Sequence, residues 1–449
     1  MFIGFFWFSL FNYTTALFFD GNAKYQLTAP WYLFVIRDVV YMALLAFFIY
    51  EFGFSSIIKT MGPAYSKFMK WFSILIFVYL VVVLTHLFHR DPKGIMQHDI
   101  RNIALYSFFL PFLPVIFEKG EDLELLSKNL LYGGIVMSVL ALMTFYVEPF
   151  RRTWEGRAFA TMNTPNILAA FIALCIFIVV GRWERLGHKK SLLFLLVYLV
   201  SFVMTNSLTV FLIIIFGLFF LFIFKFGFWR AVQCSCFAFF IMVFLSISLK
   251  VIENFDYYGI RGAISQFDRP ERYLVDKLDN ITNGKFYNVI LPGVNTEKND
   301  KKIRTYTVRR SQLIALAKGE ILTDLSYKGA NLKYISCLLF GDYDSHNYRK
   351  FDSQHYNLMA NSGIISVLIF LFIFGWGVLE GIQLWRKSKV SLVLPFSIFI
   401  LSMIIVGFIG VAFLNRFPIN FFLYLSLGII FLEKDRITKV KDEATKVQT

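Results

Sequence analysis

The chain has 449 residues, 57% of them hydrophobic, 19% aromatic and only 17% charged, with a mean hydropathy of +0.61. Soluble globular domains average roughly 45–50% apolar and about 25% charged residues, so this composition points to a polytopic membrane protein and excludes a soluble enzyme, a secreted disulfide scaffold or a disordered chain. The formal charge of +15 comes with no nucleic-acid reading motif and fits the Lys and Arg excess of cytoplasmic loops.

Apolar runs fall at 3–19, 30–51, 71–88, 103–117, 128–147, 164–181, 191–206, 208–224, 231–249, 361–380, 392–414 and 417–433. In lipid such runs must be helices, because an unpaired backbone group has no water to bond. The expectation is therefore an all-α polytopic protein of about 12 transmembrane helices with one large, mostly helical periplasmic loop. It divides into an N-terminal bundle of about nine helices at 1–250, a loop or cap at 251–358, about three C-terminal helices at 359–433 and a polar tail at 434–449, read as an ordinary solvated end. The opening MFIGFFWFSLFNYTTALFF has no basic leader and no A-x-A site, so it reads as a retained first span.

Placing the N-terminus in the cytoplasm collects 19 Lys and Arg on cytoplasmic segments, among them Lys59, Lys67, Lys70, Arg182, Lys225 and Arg386, against eight on the short outer ones. That asymmetry predicts both termini inside and 251–358 outside. Cys175, Cys234 and Cys236 sit in apolar runs and Cys337 stands alone, so no disulfide or zinc framework is readable. Walker-type, dinucleotide and H-E-x-x-H motifs are missing, which disfavours ATP-driven transport by this chain. The sequence implies no metal and no cofactor.

The polar residues gather at the outer ends of spans and in the loop. Arg37 and Asp38 are adjacent opposite charges near the outer end of their run, a pair able to neutralise itself. Arg151, Arg152 and Arg157 precede the sixth run in FRRTWEGRAFATMNTPNILAAF, on the side where the charge rule disfavours cations. A phosphate-bearing ligand would account for them, because guanidinium meets phosphate oxygens with a two-pronged fork; lipid headgroups are the plainer partner. Asn163, Pro165 and Asn166 read as a helix entry, with Pro in the first turn where its missing donor is not needed. The loop adds Arg261, Arg269, Arg272, Arg304, Arg309 and Arg310. Before the tenth run, Asp344, His346, Asp352 and His355 crowd together, and on a helix Asp352, His355 and Tyr356 share one face. A base and its orienting partner could meet there.

Three stretches resemble the O-antigen ligase and polymerase superfamily of bacterial membrane glycosyltransferases, whose architecture is GT-C-like. RAFATMNTPNILAAF is similar to that family's Arg, spacer, Asn-Pro-Asn and apolar helix, TNSLTVFLIIIFGL to its short turn between two spans, and SQHYNLMANSGIISVLIFL to the helix after its large loop. Two departures stand out. Ser207 is followed by Leu208 where many members have Arg, and the position eleven residues before Gly363, commonly His in ligases, is Asp352, with His355 three residues later. An acidic residue followed by a small polar one, as in Asp352 and Ser353, is similar to the polymerases.

The resemblance implies a polymerase of undecaprenyl-diphosphate-linked oligosaccharide repeat units for O-antigen, capsule or exopolysaccharide, acting at the periplasmic face of the inner membrane by inverting transfer. The alternative is a ligase moving the finished glycan to lipid A core or to protein. From a different class comes a non-enzymatic flippase or transporter of the same lipid-linked oligosaccharide. Arg157, Arg309 and Arg310, with Arg261 and Arg416, would hold the diphosphate; Asp352 or His355 would be the base. Asn166 would belong to the binding site, and Tyr356, Tyr257, Tyr258 and Trp154 would stack on sugars. The implied partners are membrane lipid, the lipid-linked oligosaccharide and a chain-length regulator protein, with no nucleic acid.

Overall fold

A computed structural model describes residues 4, 6, 7, 10, 11, 31–85, 107–118, 120–146, 158, 160–162, 165–205, 207–241, 244, 354–390, 392–407, 414 and 418–448. Met1–Ala238 and Cys337–Thr449 form one compact unit and Phe239–Ser336 another. The second unit lies almost wholly outside the described residues, as does the expected loop up to residue 353. Among the described residues every regular element is helical and no strand occurs.

The first unit runs through α1 (Trp31–Phe52), α2 (Phe54–Thr60) and α3 (Pro63–Thr85). A 3-10 turn (Leu110–Phe112) then leads to α4 (Leu113–Ile116), α5 (Gly120–Tyr146), α6 (Pro165–Gly181), α7 (Trp183–Leu186), α8 (His188–Thr205) and α9 (Leu208–Phe226). After residue 353 come α10 (Gln354–Ser388), α11 (Val393–Gly407) and α12 (Ile419–Gln448). Four described helical stretches are long and apolar enough to cross a membrane: Pro63–Val81, Asp122–Thr144, His188–Thr205 and Gly363–Ser388. The bent pair α1 and α2 makes a fifth if taken as one span, and Pro165–Gly181, Val210–Phe226, Phe228–Ile241 and Val393–Gly407 are shorter apolar helices. At 17 residues, α6 is at the lower end of the roughly 17–25 that suffice.

Two expectations are corrected. The run at 103–117, expected as one helix, is broken in its described part into the 3-10 turn and the single turn α4. Pro111 and Pro114 each sit in the first positions of a new short helix, because proline lacks the amide donor and crowds the preceding turn. The tail from 434 is not simply solvated: α12 continues unbroken to Gln448, and Asp435 is buried.

Packing centres on α6, whose residues from Ile167 to Gly181 are all buried. It touches α5, α8, α9, α11 and α12, while α10 joins through α11, α12 and α3. Apolar side chains gain little by leaving lipid for protein, so close backbone approach and side-chain fit must hold such helices together. Gly377 and Gly381 on α10 are spaced as G-x-x-x-G. A Cβ at the first would collide with Leu427 of α12, and at the second with Ser397 of α11. Aromatic rings close the same interface: Phe68 of α3 stacks on Phe431 of α12 at 4.4 Å, and Trp376 of α10 meets that ring at 4.7 Å.

One end of the bundle is tied by polar bonds. The Arg182 guanidinium, following α6, donates to Ser127 and to both oxygens of Glu124 on α5. Asp435 of α12 accepts from the backbone N–H groups of Ala64 and Tyr65 at 2.7 and 2.8 Å. It thereby satisfies donors that the start of α3 leaves open and sets a negative charge at the positive end of that helix. Next along α12, Lys434 pairs with Glu380 of α10 at 2.6 Å, and Arg436 donates to the Phe117 carbonyl at 2.7 Å. The described Lys and Arg side chains, from Lys59 to Lys439, all fall toward this end of their helices or beyond it.

The Arg182 clamp predicts an asymmetric pair of variants. Arg182 is 2% exposed and Glu124 40%, so Glu124→Ala strands a buried cation and is expected to cost about 3 kcal/mol. Arg182→Met leaves a carboxylate that water can reach and is expected to cost less. Thermal unfolding in detergent ranks the two, and the reverse order would count against the clamp.

Candidate functional site

The opposite end of the bundle carries the starts of α6 and α9, which are the described parts of two stretches that the sequence singled out. Pro165 opens α6, as the sequence predicts. In the next position Asn166 is half-buried, and its Oδ1 accepts a hydrogen bond from Ser207 Oγ at 2.7 Å. Ser207 is the residue preceding α9, in an extended conformation suited to an N-cap, yet it makes no side-chain cap to its own helix. Its hydroxyl reaches across to α6 instead, which pins the two helix starts together.

The chain just before α6 is anchored as well. The Ala158 N–H donates to the Met204 carbonyl at the end of α8 at 2.9 Å. The Thr161 hydroxyl, buried, donates to the Leu10 carbonyl at 2.7 Å. Between them Ala160 is fully buried with φ 50, a left-handed backbone that a residue with a Cβ adopts at a cost of about 1–3 kcal/mol and that tends to accompany functional sites.

His355 reaches the same end by another route. Pro395, near the start of α11, lies against Gly181 at the Arg182 end of α6. The far end of α11, with Ile404, is therefore on the Asn166 side. His355, in the first turn of α10, is buried and its Nε2 lies 2.9 Å from the Ile404 carbonyl. A carbonyl only accepts, so Nε2 carries the proton and Nδ1 holds the lone pair. His355 stands ahead of the candidate span Gly363–Ser388. Burial pushes its pKa below the ordinary histidine range, opposed by the bond to Ile404. The cavity beside it, lined by Phe370, Phe374, Met403 and Leu423 among others, is only about 30 Å³, room for a water molecule but not for a sugar.

Between His355 and the span, Gly363 has φ 73 and ψ 178 and breaks α10 into two helical pieces. This region of backbone space is almost confined to glycine. The short piece with His355 can therefore turn away from the axis of the long helix while the chain stays continuous.

The structure thus gathers Asn166, Ser207 and His355 toward one end of the bundle. Tyr356 is in α10, but its side chain is outside the described residues, as are Arg157, Arg261, Arg309, Arg310, Asp352, Arg416, Trp154, Tyr257 and Tyr258 in full. Among the described residues, no group of three His, Cys, Asp or Glu is placed to hold a metal ion. Ser207, Thr161 and the Met204 carbonyl are contributions that sequence reasoning did not assign; the one hint was the polar triplet Thr205, Asn206 and Ser207 between two apolar runs. No protein-family model matches the chain, and no curated protein matches it in sequence.

Gly363 gives a direct test of the break. Gly363→Ala is expected to destabilise the protein by about 1–3 kcal/mol. Gly375→Ala, at a helical site with open space around it, is expected to be neutral or to stabilise by up to about 1 kcal/mol. Thermal unfolding of the two purified variants would show no difference if residue 363 were ordinary helix.

Proposed function

We propose that the chain is a bacterial inner-membrane glycosyltransferase acting on undecaprenyl-diphosphate-linked glycans, and within that class a polymerase of oligosaccharide repeat units. The observation that carries the reading is the hydrogen bond between Asn166 and Ser207, which joins two of the three stretches similar to that superfamily, with His355 of the third directed to the same end. In this reading about 12 spans cross the cytoplasmic membrane and 251–358 is a periplasmic cap. The basic residues gathered at the Arg182 end support a cytoplasmic position for that end and for both termini.

The chemistry follows from the donor. A sugar hydroxyl of the acceptor attacks the anomeric carbon, the bond to the diphosphate oxygen breaks with inversion, and undecaprenyl diphosphate leaves with the electron pair. The hydroxyl is a poor nucleophile and needs a base within hydrogen-bond reach, and the leaving diphosphate gains from fixed cations. Asp352 is the base in the polymerase reading, with Arg157, Arg309 and Arg310 as the principal cations and Arg261 and Arg416 as lesser ones. Such a polymerase would work beside a chain-length regulator protein in contact with membrane lipid.

A ligase is the second reading, favoured by one observation. His355 is held at Nε2 by a backbone carbonyl, which directs the other ring nitrogen, Nδ1, to the role of proton acceptor. The two readings separate in the host. Deleting the protein should leave single repeat units on lipid A core if it is a polymerase, and long polymer on undecaprenyl diphosphate if it is a ligase. Unchanged glycans would defeat both. On complementation, Asp352→Asn should fail to restore polymer if Asp352 is the base, and His355→Ala should fail if His355 is. Membrane insertion of each variant is checked by immunoblot.

The arginine assignment has its own test. Lysine keeps the charge of Arg157 but not the paired contact, so Arg157→Lys should lower transfer by about tenfold or more, as loss of a charge-assisted bond does. Full transfer activity in that variant, measured on purified lipid-linked donor, would remove Arg157 from the diphosphate site.

A further inference from the structure

A second cavity lies at the Arg182 end, away from His355 and independent of the transferase reading. At Gly53, with φ 69, the chain bends by 84° from α1 into α2. α2 therefore runs nearly at right angles to a helix of membrane-spanning composition. Phe54 and Ile58 of α2 are 65% and 56% exposed, and Ser55, Ser56 and Lys59 share its seven residues. An apolar surface beside short polar and cationic side chains suits a helix lying in the membrane interface.

Between α1, α2, α3 and the 3-10 turn is a cavity of about 600 Å³, within the range of roughly 300–1,000 Å³ that small-molecule sites occupy. Its walls are apolar, with Ala46 and Ile49 from α1, Ile57 from α2, Met69 from α3 and Phe112 from the turn. The exception is one stripe of α3. Ser66, Lys70 and Ser73, at offsets of four and three, all line the cavity, and Lys70 is the one charged lining residue. Polar groups within a membrane helix call for a reason. Ser66 and Ser73 are exposed beside Lys70 on the same cavity wall, so two hydroxyl donors flank the one cation. Lys67, one turn before Lys70, and Lys59 on α2 are further exposed cations in the adjoining segments.

We propose that this cavity binds an anionic phospholipid, one acyl chain entering among the apolar walls and the phosphate meeting Lys70 with the Ser66 and Ser73 hydroxyls. The chemistry of the lining matches an amphiphile of that kind: a long apolar chain, one negative charge and polar oxygens next to it. The site is level with the interface that α2 marks, where anionic headgroups attract basic side chains.

The test uses the full chain in nanodiscs of phosphatidylcholine containing a trace of phosphatidylglycerol with a photoactivatable acyl chain. Crosslinked peptides are identified by mass spectrometry. Adducts are expected to concentrate on 38–52 and 63–73, and Ala46→Trp, which fills the cavity, should remove them. Lys70→Gln, at an exposed position that leaves the fold intact, should reduce the preference for the phosphatidylglycerol probe over a phosphatidylcholine probe by about fivefold. Labelling spread evenly onto other apolar helices such as Phe228–Ile241, or equal labelling by the two probes in the unaltered protein, would overturn the proposal. So would displacement of the probe by undecaprenyl phosphate but not by unlabelled phosphatidylglycerol.

Discussion

A backbone polar group inside hydrocarbon has no water to bond, so it must be paired within the protein, and charged side chains are carried toward the ends of their helices. The architecture of this chain depends on that constraint. α6 shows it most plainly: apolar and buried from Ile167 to Gly181, it meets its polar partners at its two limits, Asn166 with Ser207 at one and Arg182 with Glu124 and Ser127 at the other. The helix is thereby fixed at both ends while its middle is free to serve as packing surface for five neighbours.

The same solvent removes the usual reward for burying apolar side chains, which places the burden on close fit. Gly377 and Gly381 let α10 approach α12 and α11, and the rings of Phe68, Phe431 and Trp376 fill the space where α3 joins them. Asp435 then serves two helices at once, as a residue of α12 and as the cap of α3. A carboxylate that far along the chain becomes part of the core because the open N–H groups of α3 need an acceptor.

The two ends differ in chemistry. At the Arg182 end charges are abundant and are consumed in holding helices together. At the Asn166 end Asp38 of α1 is the one described charged side chain, and the groups at the helix starts are held by backbone carbonyls and one another: Ser207 to Asn166, Thr161 to Leu10, His355 to Ile404. The break at Gly363 lets a histidine approach that end without being part of the straight span behind it.

Composition and hydropathy pointed to a helical membrane protein, and the bounds of α1, α6, α8 and α9 fall within three residues of the expected runs, because a run of apolar side chains in lipid has one acceptable backbone. By contrast, α3, α5, α10 and α12 extend 7 to 15 residues beyond theirs through polar end segments that hydropathy does not mark. The entry to α6 at Pro165 was legible for the equally local reason that proline fits the first turn. The break of the 103–117 run was not drawn from its hydropathy, although Pro111 and Pro114 were its local cause. What only the tertiary structure decided were the long-range pairings: Ser207 with Asn166, Asp435 with the start of α3, and the 84° turn that opens a cavity beside Lys70. A hydrogen bond between residues 371 apart, as from Ala64 to Asp435, leaves no periodic trace in either segment, since each residue type is ordinary where it stands and acquires its role from the helix that packs against it.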